Sequence, residues 1–95
     1  MIDRTVIDQS SQPRLPVGVR LKFDEPRDQW VVLAPERMFV LDPIALEIVK
    51  RCDGAVAVAA IIDQLAEAYS APRDQIAKDV IQMLQDFADK GVVVA

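Results

Sequence analysis

The run Trp30-Val31-Val32-Leu33-Ala34-Pro35-Glu36-Arg37-Met38-Phe39-Val40-Leu41-Asp42 constrains the fold more than any other part of the chain. It reads as a strand, a tight turn, a second strand and, at once, a helix start. The second strand, Met38 to Leu41, contains no charge, no proline and no glycine. At a sheet edge it presents unpaired backbone groups with little to deter another chain from pairing. Such an edge is a hazard in a protein with no partner. It is an asset in one that captures a peptide as an added strand.

Upstream, Val17, Val19, Leu21 and Phe23 alternate with Gly18, Arg20, Lys22 and Asp24. This period of two predicts a half-buried first strand. Glu25-Pro26-Arg27-Asp28 turns the chain into a second strand, Gln29 to Leu33, with Trp30 and Val32 on one face and Val31 and Leu33 on the other. Two short turns make a three-stranded antiparallel meander, with the third strand at its edge. Residues 1–16 read as a flexible arm, because Gln9-Ser10-Ser11-Gln12 is polar and Pro13 and Pro16 favour ladder-free backbone. Residues 17–95 are then one ordered domain.

Asp42-Pro43 supplies an N-cap and a proline at the first helical position. Helix one is expected to run to about Cys52 and to end at Asp53-Gly54. Helix two covers about Val56 to Tyr69, with a stripe of Val58, Ile61, Ile62, Leu65 and Tyr69. Ser70-Ala71-Pro72 breaks it. Helix three runs from about Pro72 to Lys90 and stops at Gly91. Val92-Val93-Val94 adds a last short strand. The expected architecture is α+β and winged-helix-like: a three-stranded antiparallel β-meander, then three α-helices, then that short C-terminal strand.

Composition excludes several kinds of chemistry. The chain has no histidine and one cysteine, Cys52. No internal disulfide forms, no zinc site of the usual Cys/His kind can be assembled, and no His-activated nucleophile exists. Glycine occurs only at Gly18, Gly54 and Gly91, so there is no glycine-rich phosphate loop. No catalytic residue, cofactor site or metal site is predicted. Cys52 falls on the apolar stripe of helix one, where a thiol acts as a small hydrophobe. The apolar run Ala55 to Ile62 is too short to span a bilayer. The N-terminus lacks the apolar core of a secretory signal, so the expected location is the cytoplasm.

Helix three carries a wide apolar arc. Ile76, Val80, Met83 and Phe87 form one stripe, and Ala77, Ile81, Leu84 and Ala88 form the next. Together they cover roughly 160°, more than the ~100° a surface helix needs. The plain reading is a helix deep in the core; the sharper one is that a border of the arc walls a groove beside strand three. Its polar face argues against DNA. Arg73, Lys78 and Lys90 are opposed by Asp74, Asp79, Asp86 and Asp89, and the net charge of the chain is −4. Carboxylates on a recognition helix repel phosphates.

Pro13-x-Leu15-x-x-Gly18-Val19-Arg20-Leu21, Trp30 to Arg37, Leu41-Asp42, Cys52-Asp53-Gly54, Asp79-Val80 and Lys90-Gly91-Val92-Val93 together resemble the pattern of the PqqD family of pyrroloquinoline quinone (PQQ) biosynthesis. The resemblance spans about residues 13–94. It implies a peptide chaperone of the recognition-element kind that binds the ribosomally made precursor PqqA. Such a chaperone presents PqqA to the radical S-adenosylmethionine enzyme PqqE, which joins a Glu and a Tyr of that peptide. The iron–sulfur chemistry then belongs to PqqE, and this chain needs no cofactor. The leader of PqqA adds beside strand three and packs on helix three. The expected peptide-binding residues are Arg37, Met38, Phe39, Val40, Leu41, Ile76, Val80, Met83 and Phe87. Which parity of strand three faces the groove stays open. The family's capping box at the start of helix two is missing here, since Ala57 and Ala60 occupy its positions. The junction is then less fixed, or Asp53 caps an earlier start. The alternative function is a winged-helix regulator acting through DNA or another protein. The open edge also predicts a monomer that self-associates or swaps elements when concentrated.

Overall fold

The computed structural model describes residues 5–95. The strands are β1 (Arg20–Asp24), β2 (Gln29–Ala34) and β3 (Arg37–Val40), and the helices are α1 (Pro43–Lys50), α2 (Val58–Ala68) and α3 (Arg73–Asp89). The sheet is antiparallel in the order β1-β2-β3, as the two short turns require. Pro35 and Glu36 alone join β2 to β3, with Ala34 opposite Arg37. Proline fixes the first turn position, and Glu36 takes φ 59°, the left-handed value the second position then needs.

The first strand is shorter than its alternation suggests. Val19 donates its amide to the Pro16 carbonyl, and Gly18 has φ 87°. Residues 16–19 are thus a turn with glycine at its left-handed position, and Val17 points wholly into solvent at 101% exposure. The apolar pattern continues through this turn although the strand does not.

Asp42 caps α1 as expected, its Oδ1 accepting from the Ala45 amide at 2.7 Å. The helix ends at Arg51, so Cys52 lies just beyond it. Ala57 stands at the N-cap of α2 without a side-chain bond, and Asp53 does not serve as cap; its Oδ1 takes the Ala55 amide instead. The arm does the capping. The amides of Val58 and Ala59 donate to the carbonyls of Ser11 and Gln9, at 2.8 and 2.9 Å. Backbone oxygen thus satisfies two of the orphan donors that a helix start leaves.

Residues 5–16 are therefore fastened along the domain, where proline and polar content suggested a flexible arm. Ile7 is 4% exposed within the core, and Pro13 is buried. The Gln85 side chain accepts from the Ile7 amide and donates to the Thr5 carbonyl, each at 2.8 Å. Arg14 and Val94 exchange both backbone bonds, and the Gly54 amide donates to Pro13. The part of the expected arm before residue 5 lies outside the described residues. Arg14 also explains Gly54, which has φ 82° and where a Cβ would meet Arg14 carbons at 3.2–3.3 Å. Val92 and Val93 are buried, but Val94 makes only an isolated bridge to Arg14 in place of a short C-terminal strand.

The inner face of the sheet, the three helices and Ile7 share one core, which includes Val32, Leu41, Ile61, Ile62, Leu65, Val80 and Leu84. No charged or polar residue is buried among the described residues, and no buried side-chain N or O lacks a partner. Helices α2 and α3 end alike. Ala71 donates to Ala66 and Ser70 to Glu67; Val92 donates to Phe87 and Gly91 to Ala88. Both are left-handed C-terminal caps, with Ser70 at φ 50° and Gly91 at φ 77°.

Ser70→Gly should raise and Gly91→Ala should lower unfolding stability, each by about 1 kcal/mol, because only glycine occupies this conformation without a Cβ penalty. Urea midpoints that shift in opposite directions at constant slope check this. Ile7→Ala should cost about 2–5 kcal/mol in the same assay; a midpoint like that of the parent chain would mean the arm is not part of the core.

Candidate functional site

Strand β3 is an edge, and the phase of its ladder decides what that edge offers. In an antiparallel pair, alternate residues exchange both backbone bonds with the partner strand. The Leu41 amide donates to the Trp30 carbonyl at 3.0 Å. Val32↔Phe39 and Ala34↔Arg37 continue that phase. The N–H and C=O groups of Arg37 and Phe39, and the N–H of Leu41, thus point at β2. Those of Met38 and Val40 point away from the sheet, toward whatever lies beyond the edge.

Register also settles parity. Residues directly opposite share a face. Phe39 lies opposite Val32, which is fully buried, and Leu41 is in the core at 7% exposure. Phe39 and Leu41 therefore face the helices. Met38 and Val40 lie opposite Leu33 and Val31 on the other face. Of the two parities that the sequence leaves open, the one shared with the α3 residues is that of Phe39 and Leu41, not Met38 and Val40; Phe39 is the β3 side chain that meets α3.

On α3, Ile76, Val80 and Phe87 are all buried in the core, at 7%, 1% and 8% exposure, and Phe87 is set apart by its contact with β3. Phe87 touches Phe39, with ring centroids 5.6 Å apart. Met83, one turn earlier, is half-buried on the same flank. The wall beside the free edge is thus Phe39, Phe87 and Met83. Two cations crown it. The Arg37 guanidinium and the Lys90 ammonium each lie 5.6 Å from the centre of the Phe39 ring. Lys90 is held at 2.9 Å by Asp86, whereas Arg37 has no ion pair among the described residues. Lys90 was absent from the sequence expectation, although its place three residues after Phe87 puts it on that flank.

This arrangement can satisfy a strand's backbone through Met38 and Val40, receive alternate apolar side chains against Phe39, Met83 and Phe87, and favour a carboxylate near Arg37. It offers no nucleophile. The Cys52 thiol is buried, with Sγ 3.3 Å from the Ile48 carbonyl. Burial, reinforced by the neighbouring Asp53 charge, pushes it from 9.0 up to about 12. No group of three or more Cys, Asp or Glu residues that could hold a metal exists among the described residues. No helix there is long and apolar enough to cross a membrane.

The family model for coenzyme PQQ synthesis protein D (PqqD) matches residues 29–93. The chain belongs to the PqqD family. A PqqA binding protein of Rhodopseudomonas palustris strain TIE-1 is 57% identical over 88 residues, 93% of this chain and 86% of that one. A PqqA binding protein of Xanthomonas euvesicatoria is 46% identical over 84 residues, 88% of this chain and 91% of its own. Among solved structures, the PqqD part of Methylobacterium extorquens PqqCD superposes with a TM-score of 0.82 at 43% identity, covering 96% of this chain and 97% of that one. That solution structure is described as a stand-alone recognition element for ribosomally synthesised and post-translationally modified peptides. PqqD from Xanthomonas campestris gives 0.61 at 42% identity, covering 94% and 99%. PqqD proteins are recognition elements, not enzymes, and the three strands followed by three helices match that family.

Cys52 should stay unmodified by iodoacetamide at pH 8 and react only in denaturant. Its folded-state pKa is raised, so its contribution to stability is fully present below pH 9.0 and is lost as pH climbs through about 12. Prompt alkylation of the folded chain would contradict this placement.

Proposed function

We propose that this chain is a non-catalytic recognition element of PQQ biosynthesis that binds PqqA by adding a strand of the peptide to β3. One observation carries the reading: in a PqqD-family chain, the outward backbone groups of Met38 and Val40 border a wall of Phe39, Met83 and Phe87. Main-chain bonds give affinity with little sequence demand, and the wall supplies selectivity. Arg37, with no carboxylate partner among the described residues, favours an acidic residue at that end of the peptide, an attraction that salt weakens. The bound precursor is presented to PqqE, which carries the radical chemistry. The site is cytoplasmic, consistent with a single unpaired cysteine. When dilute the chain is a monomer, and the same edge drives self-association at high concentration.

The ladder phase gives a clean test. Val40→Pro removes an amide that faces away from β2, a place where an edge strand tolerates proline. Phe39→Pro removes a bond within the sheet. Titration of isotope-labelled chain with PqqA should shift amides 37–41, Met83 and Phe87. Val40→Pro should keep a folded spectrum and lose most binding, whereas Phe39→Pro should damage the fold. Met83→Asp should also weaken binding while staying folded. If folded Val40→Pro and Met83→Asp both bind PqqA as the parent does, the site is elsewhere. A rate of PqqA modification by PqqE that is unchanged by adding this chain would remove the presentation step.

A further inference from the structure

Helices cover only one face of the sheet. The other face is built from Lys22, Val31, Leu33, Met38 and Val40, which the register places side by side. None of them belongs to the core shared with the helices, although Val31 is itself only 1% exposed. The part next to β1 carries Arg20, Lys22 and Asp24, but the part next to the free edge is wholly apolar. Met38 is 39% and Val40 55% exposed there. A depression of about 490 Å³ is lined by Met38, Leu33 and Val31 and, on its β1 side, by Lys22, Phe23, Asp24, Glu25 and Pro26. Solvent-facing positions on edge strands are normally where charge is placed to prevent pairing. Here both parities of β3 are apolar after Arg37.

We propose that a captured peptide is read on both faces of the sheet, its outward side chains seated on Met38 and Val40 while its inward ones meet Phe39, Met83 and Phe87. This rests on the strand-addition reading above. The occupant of the outer patch is that same strand, because the patch is continuous with the edge that binds it. A strand added to β3 lies about 4.8 Å away, and its residues opposite Met38 and Val40 must point to the outer face, with Cβ atoms about 5 Å from theirs. A large outward side chain opposite Met38 can lean over it toward the Leu33–Val31 depression. The ligand class is therefore an extended segment that is apolar at both parities, not an amphipathic strand with one wet side. A second copy stacked face to face would instead sit about 10 Å above the sheet.

The test uses full-length chain and synthetic PqqA. Met38→Lys and Val40→Lys change exposed side chains outside the core, and circular dichroism checks their folding. Each should weaken PqqA binding by about tenfold or more. Val40→Thr, which keeps shape, charge and β-branching, should weaken it severalfold. At saturating PqqA, the shifts at Met83 and Phe87 should still appear. If the lysine and threonine variants bind as the parent does while Met83→Asp does not, the peptide is read on one face only. This inference then fails and the strand-addition reading stands. Lysine variants that alter sedimentation but not PqqA affinity would assign the patch to a second copy and equally overturn it. If the parent chain itself binds no PqqA, both readings fall.

Discussion

The amide of Leu41 bonded to the carbonyl of Trp30 sets the phase of the β2–β3 ladder, and the rest of the site depends on that phase. Shifted by one residue, the sheet would turn Phe39 outward and spend the amides of Met38 and Val40 on β2. The two-residue turn at Pro35-Glu36 fixes the register from one end. The start of α1, where Asp42 caps the helix directly after Leu41, fixes it from the other. Between these anchors β3 has only four residues, Arg37–Val40, so a slip would have to break one of them.

An exposed edge needs a stable body behind it, and the N-terminal segment supplies part of that body. Carbonyls of Gln9 and Ser11 complete α2, the Gln85 side chain holds Thr5 and Ile7 against α3, and Arg14 pairs with Val94. Of these contacts, the one on α3 is at Gln85, which lies roughly 160° around the helix from Phe87, away from the side that meets Phe39. Fastening and binding thus use different sides of the same helix, so the segment can stabilise the domain without filling the groove.

The order of elements was legible because each carried its own local signal: period two in β1 and β2, Asp42-Pro43 at α1, Gly91 at the end of α3. The wide arc on α3 was legible too, since Ile76, Val80, Leu84 and Phe87 are buried and Ala77, Ile81, Met83 and Ala88 half-buried. The arm was not, because a carbonyl that caps a helix forty-odd residues later leaves no mark in side-chain composition. Nor was the parity of β3. Met38, Phe39, Val40 and Leu41 are all apolar, and alternation carries no information where both faces look alike. The ladder supplies what the pattern lacks. Val17 misled for a related reason, since an alternating pattern runs into a turn that only Gly18 betrays.

The amides of Met38 and Val40 are the open ones, and on the proposed strand addition PqqA closes them. Amide hydrogen exchange along β3, with and without PqqA, addresses this residue by residue. In the free chain Met38 and Val40 should exchange fast and Phe39 and Leu41 slowly. Bound PqqA should slow the first pair strongly and the second pair little. Equal protection of all four amides in the free chain, or no added protection at Met38 and Val40 under saturating PqqA, would contradict the account.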